Sequence, residues 1–155
     1  MAASEFTIWA DADALPGAIR DILFRAAERT HHPLVLVANK RLRVPSSRYV
    51  RLQQVNPGAD VADGHIVRSM RSGDLVVTAD IPLADAVVKR GGIALDPRGE
   101  IYDEASIGER LAVRNLMKEL REDGLATGGP PPLDARAKQD FANALDRLLR
   151  SLDRD

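Results

Sequence analysis

The chain has 155 residues, no cysteine, 45% hydrophobic and 29% charged residues, and a formal net charge of −1. Its size is that of one domain, able to bury roughly 70% of the surface its unfolded form exposes. These values exclude disulfides, thiolate zinc sites, a disordered chain and a strongly basic nucleic-acid binder, while leaving a local basic patch open. No basic start leads into a long apolar run, and no window approaches eighteen consecutive apolar residues. Neither a signal peptide nor a membrane span is expected, and with no cysteine the default is a cytoplasmic protein.

In chain order, residues 5–10 (EFTIWA) read as a strand. Pro16 falls in the first turn of the next element, where its missing N–H costs nothing. Ile19, Ile22, Leu23 and Ala26 then recur at helical spacing. Residues 33–38 (PLVLVA) form a continuous apolar run, as in a strand buried on both faces. The basic segment "NKRLRVPSSR" reads as a loop, residues 49–55 (YVRLQQV) as a strand, and "NPG" (56–58) as a turn. Residues 60–70 look helical, with Gly73 as a stop. A strand over 74–78 (DLVVT) precedes a helix from Ile81 to Lys89, closed by Gly91-Gly92. A short strand follows at 93–95. Ser106 and Glu109 read as a capping box before a helix running to about Glu122.

The alternation of strand and helix predicts an α/β domain over 1–123 with a mostly parallel sheet. Residues 124–133 read as a Gly/Pro linker that three prolines bar from being helical. An amphipathic helix over 134–155 follows, with Ala137, Phe141, Leu145, Leu148 and Leu152 on one stripe. That stripe has to be buried on the body of the domain or on a partner chain, a homodimer being one such arrangement.

In open α/β sheets, ligands gather at the carboxyl ends of the strands. Asp11 and Asp13 follow the first strand, Asp80 follows "LVVT", and Asp96 follows "IAL". Asp63 lies three before Ile66 and four before Val67, so it borders the inward face of its helix. An inward carboxylate needs a partner or a proton. Clustered carboxylates raise one another's pKa, and a divalent cation reverses that penalty. Oxygen-only ligands point to Mg2+ or Mn2+, which serve phosphodiester chemistry. Each acid also suits an ordinary role. Asp13 and Asp80 read as helix N-caps, worth about 1 kcal/mol each. Asp60 and Asp63 suit the dipole of a helix N-terminus, and Asp60 fits either a ligand or a cap. Asp96 sits in "LDPRG", a good turn. Asp74 opens a strand and belongs at the opposite edge.

Lys40, Arg41, Arg43, Arg48 and Arg51 occur with no acid between them. Those nearest Asn39 share the edge of the acids, where they could hold the phosphates of a polyanion such as RNA; the alternative is a solvated loop. Arg110, Arg114, Lys118 and Arg121, interspersed with Glu109, Glu119 and Glu122, read as a charged outer face. Aromatic residues make up only 4%, too few for a stacking platform for single-stranded bases. His31 and His32 read as a surface turn, His65 has no assigned role, and Ser46 and Ser47 lack a hydrolase pattern.

"DADALP", "VAN", "LRVPSSR", "DVADGHIV", "GDLVVTADIPLA", "PRGEIY" and "GGP" stand in this order across nearly the whole chain. Together they resemble the YaiI/YqxD family of small uncharacterised bacterial proteins, which is grouped with PIN-like domains, a fold that includes metal-dependent ribonucleases. The resemblance implies a three-layer α/β/α sandwich in which Asp11 or Asp13, Asp63 and Asp80 fill the positions of the PIN acids. One departure is Leu15, where the family commonly has cysteine, which argues against thiol chemistry at this position.

Three functions compete. One is a Mg2+- or Mn2+-dependent nuclease acting on RNA, with Asp11, Asp13, Asp63 and Asp80 on the metal and Lys40 and Arg41 on the backbone. Another is a non-catalytic PIN-like module that binds RNA or protein. The last is an aspartyl-phosphate phosphatase with Asp11 as nucleophile, although Leu15 stands where that chemistry expects threonine.

Overall fold

A computed structural model describes residues 6–58, 60–125 and 132–153. Most of the Gly/Pro linker, including "GGP", lies outside them. The elements are β1 (Ile8–Asp11), a 3-10 turn (Ala12–Ala14), α1 (Gly17–Thr30), β2 (Leu34–Ala38), β3 (Val50–Gln54), α2 (Val61–Ser69), β4 (Leu75–Val77), α3 (Ile81–Lys89), β5 (Ile93–Leu95), β6 (Ile101–Tyr102), α4 (Glu104–Glu122) and α5 (Ala135–Asp153). The six strands form one sheet in the order β3-β2-β1-β4-β5-β6. Every pairing is parallel except that of β5 with β6.

Alternation along the strands sorts the core into two layers. Ile8, Ala10, Leu34, Leu36, Leu75, Val77 and Leu95 face one side, where Ile19 and Leu23 of α1 and Phe141, Leu145 and Leu149 of α5 cover them. Trp9, Val35, Val37, Val76 and Ala94 face the other, under Ile66 of α2, Leu83 and Val87 of α3 and Ile107 of α4. Burying each Leu or Ile side chain contributes about 1.5–3 kcal/mol, which is why β1, β2 and β4 carry almost no polar residue.

Most expected elements are present, and three differ in detail. Pro16 does not enter α1; it is the extended residue just before it, at φ −60° and ψ 151°. The capping box of α4 joins Asp103 and Ser106, not Ser106 and Glu109: Ser106 N–H donates to Asp103 at 2.9 Å and Asp103 N–H donates to the Ser106 hydroxyl at 3.1 Å. The helix therefore begins earlier than expected, because β6, absent from the expected elements, delivers the chain straight into it. The stripe of α5 is buried on the chain's own core, with Ala137, Phe141 and Leu145 enclosed and Leu148 and Leu152 at its border. Of the two expected arrangements for this stripe, packing on the body of the domain is the one present. Among the described residues, the exposed large apolar side chains are Val113, Leu116 and Met117 on α4, with Ile101 on β6 and Leu125 just past α4. Among the described residues no helix is long and apolar enough to cross a membrane.

Candidate functional site

The sheet order reverses at β1. The chain passes from β1 outward through β2 and β3, then crosses back to β4 on the other side. Ligands of doubly wound sheets bind at this reversal, outside the carboxyl ends of the strands. Asp11 ends β1, and Asp80 follows β4 by three residues, so the two acids flank it.

Ala10 pairs with Val77, which places Asp11 beside Thr78. The Thr78 hydroxyl donates to Asp11 Oδ2 at 2.9 Å and accepts from Asp80 N–H at 3.0 Å. Thr78 thus fixes both acids. Within "LVVT" Thr78 looks like an ordinary β-branched residue, and its place two before Asp80 is the one signal of this role. Asp13 lies in the turn after β1, and its Oδ2 accepts the backbone N–H of Asn39, just past β2, at 2.7 Å. Its Oδ1 is buried with no hydrogen-bond partner.

Asp63 reaches the same edge from the first turn of α2. Burial, then the charge of Asp80, a hydrogen bond with Asp80, and the charges of Asp11 and Asp60 push its carboxyl up to about 7. Burial and these neighbours thus favour the protonated form of Asp63 near neutral pH. Burial also raises the Asp11 carboxyl, opposed by the Thr78 hydroxyl and assisted by the charges of Asp80 and Asp13. Asp80 caps α3 as well, accepting Leu83 N–H at a long 3.4 Å.

In kind, these groups fit a hard cation: all the donors are oxygens, they repel one another, and Asp13 Oδ1 lacks a donor. As they stand, no three His, Asp or Glu side chains among the described residues form a group that could hold a metal ion. Asp11, Asp63 and Asp80 sense each other's charge, but a proton compensates them, and a cation would have to displace it and draw the carboxylates together.

The remaining predicted residues divide. Asp60 precedes α2 in a left-handed conformation, at φ 66°, and makes no side-chain cap. Asp96 is occupied by its turn, with one oxygen accepting Arg98 N–H and Glu100 N–H at 2.9 Å each and the other accepting the Tyr102 hydroxyl at 3.2 Å. Asn39 and Lys40 begin at the acid edge. Arg48 does not share it. Its neighbour Tyr49 accepts Leu34 N–H at the amino end of β2, because a connection between parallel strands must return to the opposite edge. None of the ion pairs among the described residues involves Lys40, Arg41 or Arg43. Asp74 lies at the opposite edge, accepting from Thr7 N–H, Trp9 Nε1 and Arg71 N–H. His31 ends α1 and stacks on Tyr49 at 4.8 Å, and His65 meets the Trp9 ring edge-on at 6.4 Å.

Residues 9–151 match the family described as "Uncharacterized BCR, YaiI/YqxD family". The UPF0178 protein of Alkalilimnicola ehrlichii is 58% identical over 143 residues, covering 92% of this chain and 97% of that protein. One from Klebsiella pneumoniae subsp. pneumoniae is 57% identical over 95% of this chain and 97% of its own. One from Desulfotalea psychrophila is 53% identical over 94% and 98%. No solved structure matches the chain. With the match spanning nearly its whole length, the chain belongs to the YaiI/YqxD family.

Proposed function

We propose that the chain is a Mg2+- or Mn2+-dependent nuclease acting on RNA. The observation that carries this reading is the gathering of Asp11, Asp13, Asp63 and Asp80 at the sheet reversal, where burial first and then the charge of Asp80 push the Asp63 carboxyl up to about 7. Perturbed carboxyls in such a place favour a functional site over a structural one. Asp11, Asp13, Asp63 and Asp80 would hold the cation. When bound, the cation supplies charge neutralisation at a phosphodiester and polarises its oxygen. Thr78 orients Asp11, Asn39 N–H orients Asp13, and Lys40, Arg41 and Arg43 position the strand through its phosphates. The preference for RNA rests on the resemblance to PIN-like domains.

The test is cleavage of a single-stranded RNA with Mn2+. Cleavage should stop on adding EDTA and in Asp13→Asn, whose carbonyl still accepts Asn39 N–H and preserves the fold. Full activity in that folded variant would count strongly against the reading.

The lack of a ready three-ligand group favours a second reading, a non-catalytic PIN-like module that binds RNA or protein. It expects RNA binding that falls with salt but ignores EDTA. The phosphatase reading finds no support: Asp11 is only 7% exposed and held by Thr78, and Leu15 is part of the core.

A further inference from the structure

A cavity of about 420 Å³ opens beside the acids, at the carboxyl ends of β4 and β5. We propose that it receives a nucleobase of the bound strand. The inference rests on the nuclease reading for where the phosphate sits, but the binding it describes requires no cleavage.

Place, shape and chemistry carry it. Ala14 and Ala79 line the cavity, one residue after Asp13 and one before Asp80. Successive Cα atoms are about 3.8 Å apart, so a phosphate at the acids leaves its own base within reach of the opening. The volume falls inside the range of about 300–1,000 Å³ usual for ligand pockets. Ile81 supplies an apolar wall, and Arg98, Tyr102 and Arg110 supply a few polar groups, the mixture such pockets carry.

Arg110 is the residue that suits a base. Its guanidinium lies 5.9 Å from the centre of the Tyr102 ring. Glu100 anchors it at 3.0 Å, and its side chain is still 45% exposed. A guanidinium held in this way offers a flat cationic face, on which splayed-out bases stack. The polar edges offered by Tyr102 and Asp96 are already committed. The Tyr102 hydroxyl goes to Asp96, and both Asp96 oxygens accept bonds from the protein. Recognition therefore runs through stacking, and the pocket tolerates any base.

Both alanines are exposed, so leucine at either position fills the opening without entering the core. The experiment titrates the protein in Mg2+ with AMP, UMP, ribose 5-phosphate and inorganic phosphate, following amide shifts by NMR. Stacking of the base should make both nucleotides bind about tenfold tighter than ribose 5-phosphate. Ala14→Leu and Ala79→Leu should erase that difference while keeping the wild-type melting temperature and Mn2+ binding. Equal binding of nucleotide and ribose 5-phosphate, or unchanged nucleotide binding in both leucine variants, overturns the proposal. A trinucleotide RNA should bind tighter than AMP; equal affinity would assign the pocket to free nucleotides and overturn the strand assignment. The nuclease reading fails separately, through absence of Mn2+ binding and cleavage, so the two failures are distinguishable.

Discussion

Replacing Asp63 with asparagine should stabilise the protein at alkaline pH, an unusual result for a half-buried residue. The Asp63 carboxyl rises from 3.8 to about 7, through burial first and the charge of Asp80 second. At about 1.4 kcal/mol per pH unit, that rise has a ceiling of about 4 kcal/mol. Solvent screens a half-buried group that shares its charge with a neighbour, so about 1–2 kcal/mol is the working figure. Between roughly pH 4 and 7 the native state holds a proton that the unfolded chain has released, so wild-type stability falls as pH rises through that window and the full penalty stands above it. Asp63→Asn removes the penalty, and its amide can still donate to Asp80. In EDTA at about pH 8 its urea midpoint should exceed that of the wild type by about 0.5–1 M, taking a slope of about 2 kcal/mol/M. At about pH 4 the two midpoints should nearly coincide. An equal difference at both pH values, or a variant less stable at the higher one, would refute the raised Asp63 carboxyl.

Other expectations follow from individual contacts. Asp74→Ala strands three donors, Thr7 N–H, Trp9 Nε1 and Arg71 N–H, and should cost about 3 kcal/mol or more in urea denaturation, with Asp74→Asn milder. Gly99 has φ 92°, and a Cβ there would meet the Asp140 carbonyl oxygen of α5 at 2.7 Å. Gly99→Ala should therefore destabilise by about 2–3 kcal/mol on a melting curve, by strain and by displacing α5. Lys40→Ala and Arg41→Ala should each weaken RNA binding and lower its salt slope by about one, whereas Arg48→Ala, at the far edge, should leave both unchanged.

The residues also show why some features could be read from sequence and others not. The apolar run of β2 and the bounds of α3, with Asp80 and Pro82 before and Gly91-Gly92 after, are local signals that tertiary contacts did not override. Two-residue β6 carries no period of its own. It exists because Ala94 and Leu95 pair with it, and it places Asp103 rather than Ser106 at the N-cap of α4. The carboxylates were legible as strand-end residues, but the reversal between β2 and β4 that gathers them is a property of strand order. The raised Asp63 carboxyl depends on burial and distance, which spacing along the chain does not encode. Arg48 is close to Lys40 in sequence, but the connection between parallel strands carries it to the amino ends of β2 and β3.

Binding of Mn2+ by calorimetry, in wild type and Asp13→Asn, addresses the central claim most directly. The wild type should bind saturably at micromolar to sub-millimolar Mn2+. It should release protons near neutral pH as the cation displaces the one on Asp63, with affinity rising as pH is raised through about 7. Asp13→Asn should lose the binding and keep the fold. A folded wild type that binds no Mn2+, or an Asp13→Asn variant that binds it as well as the wild type, would contradict a cation site at the sheet reversal.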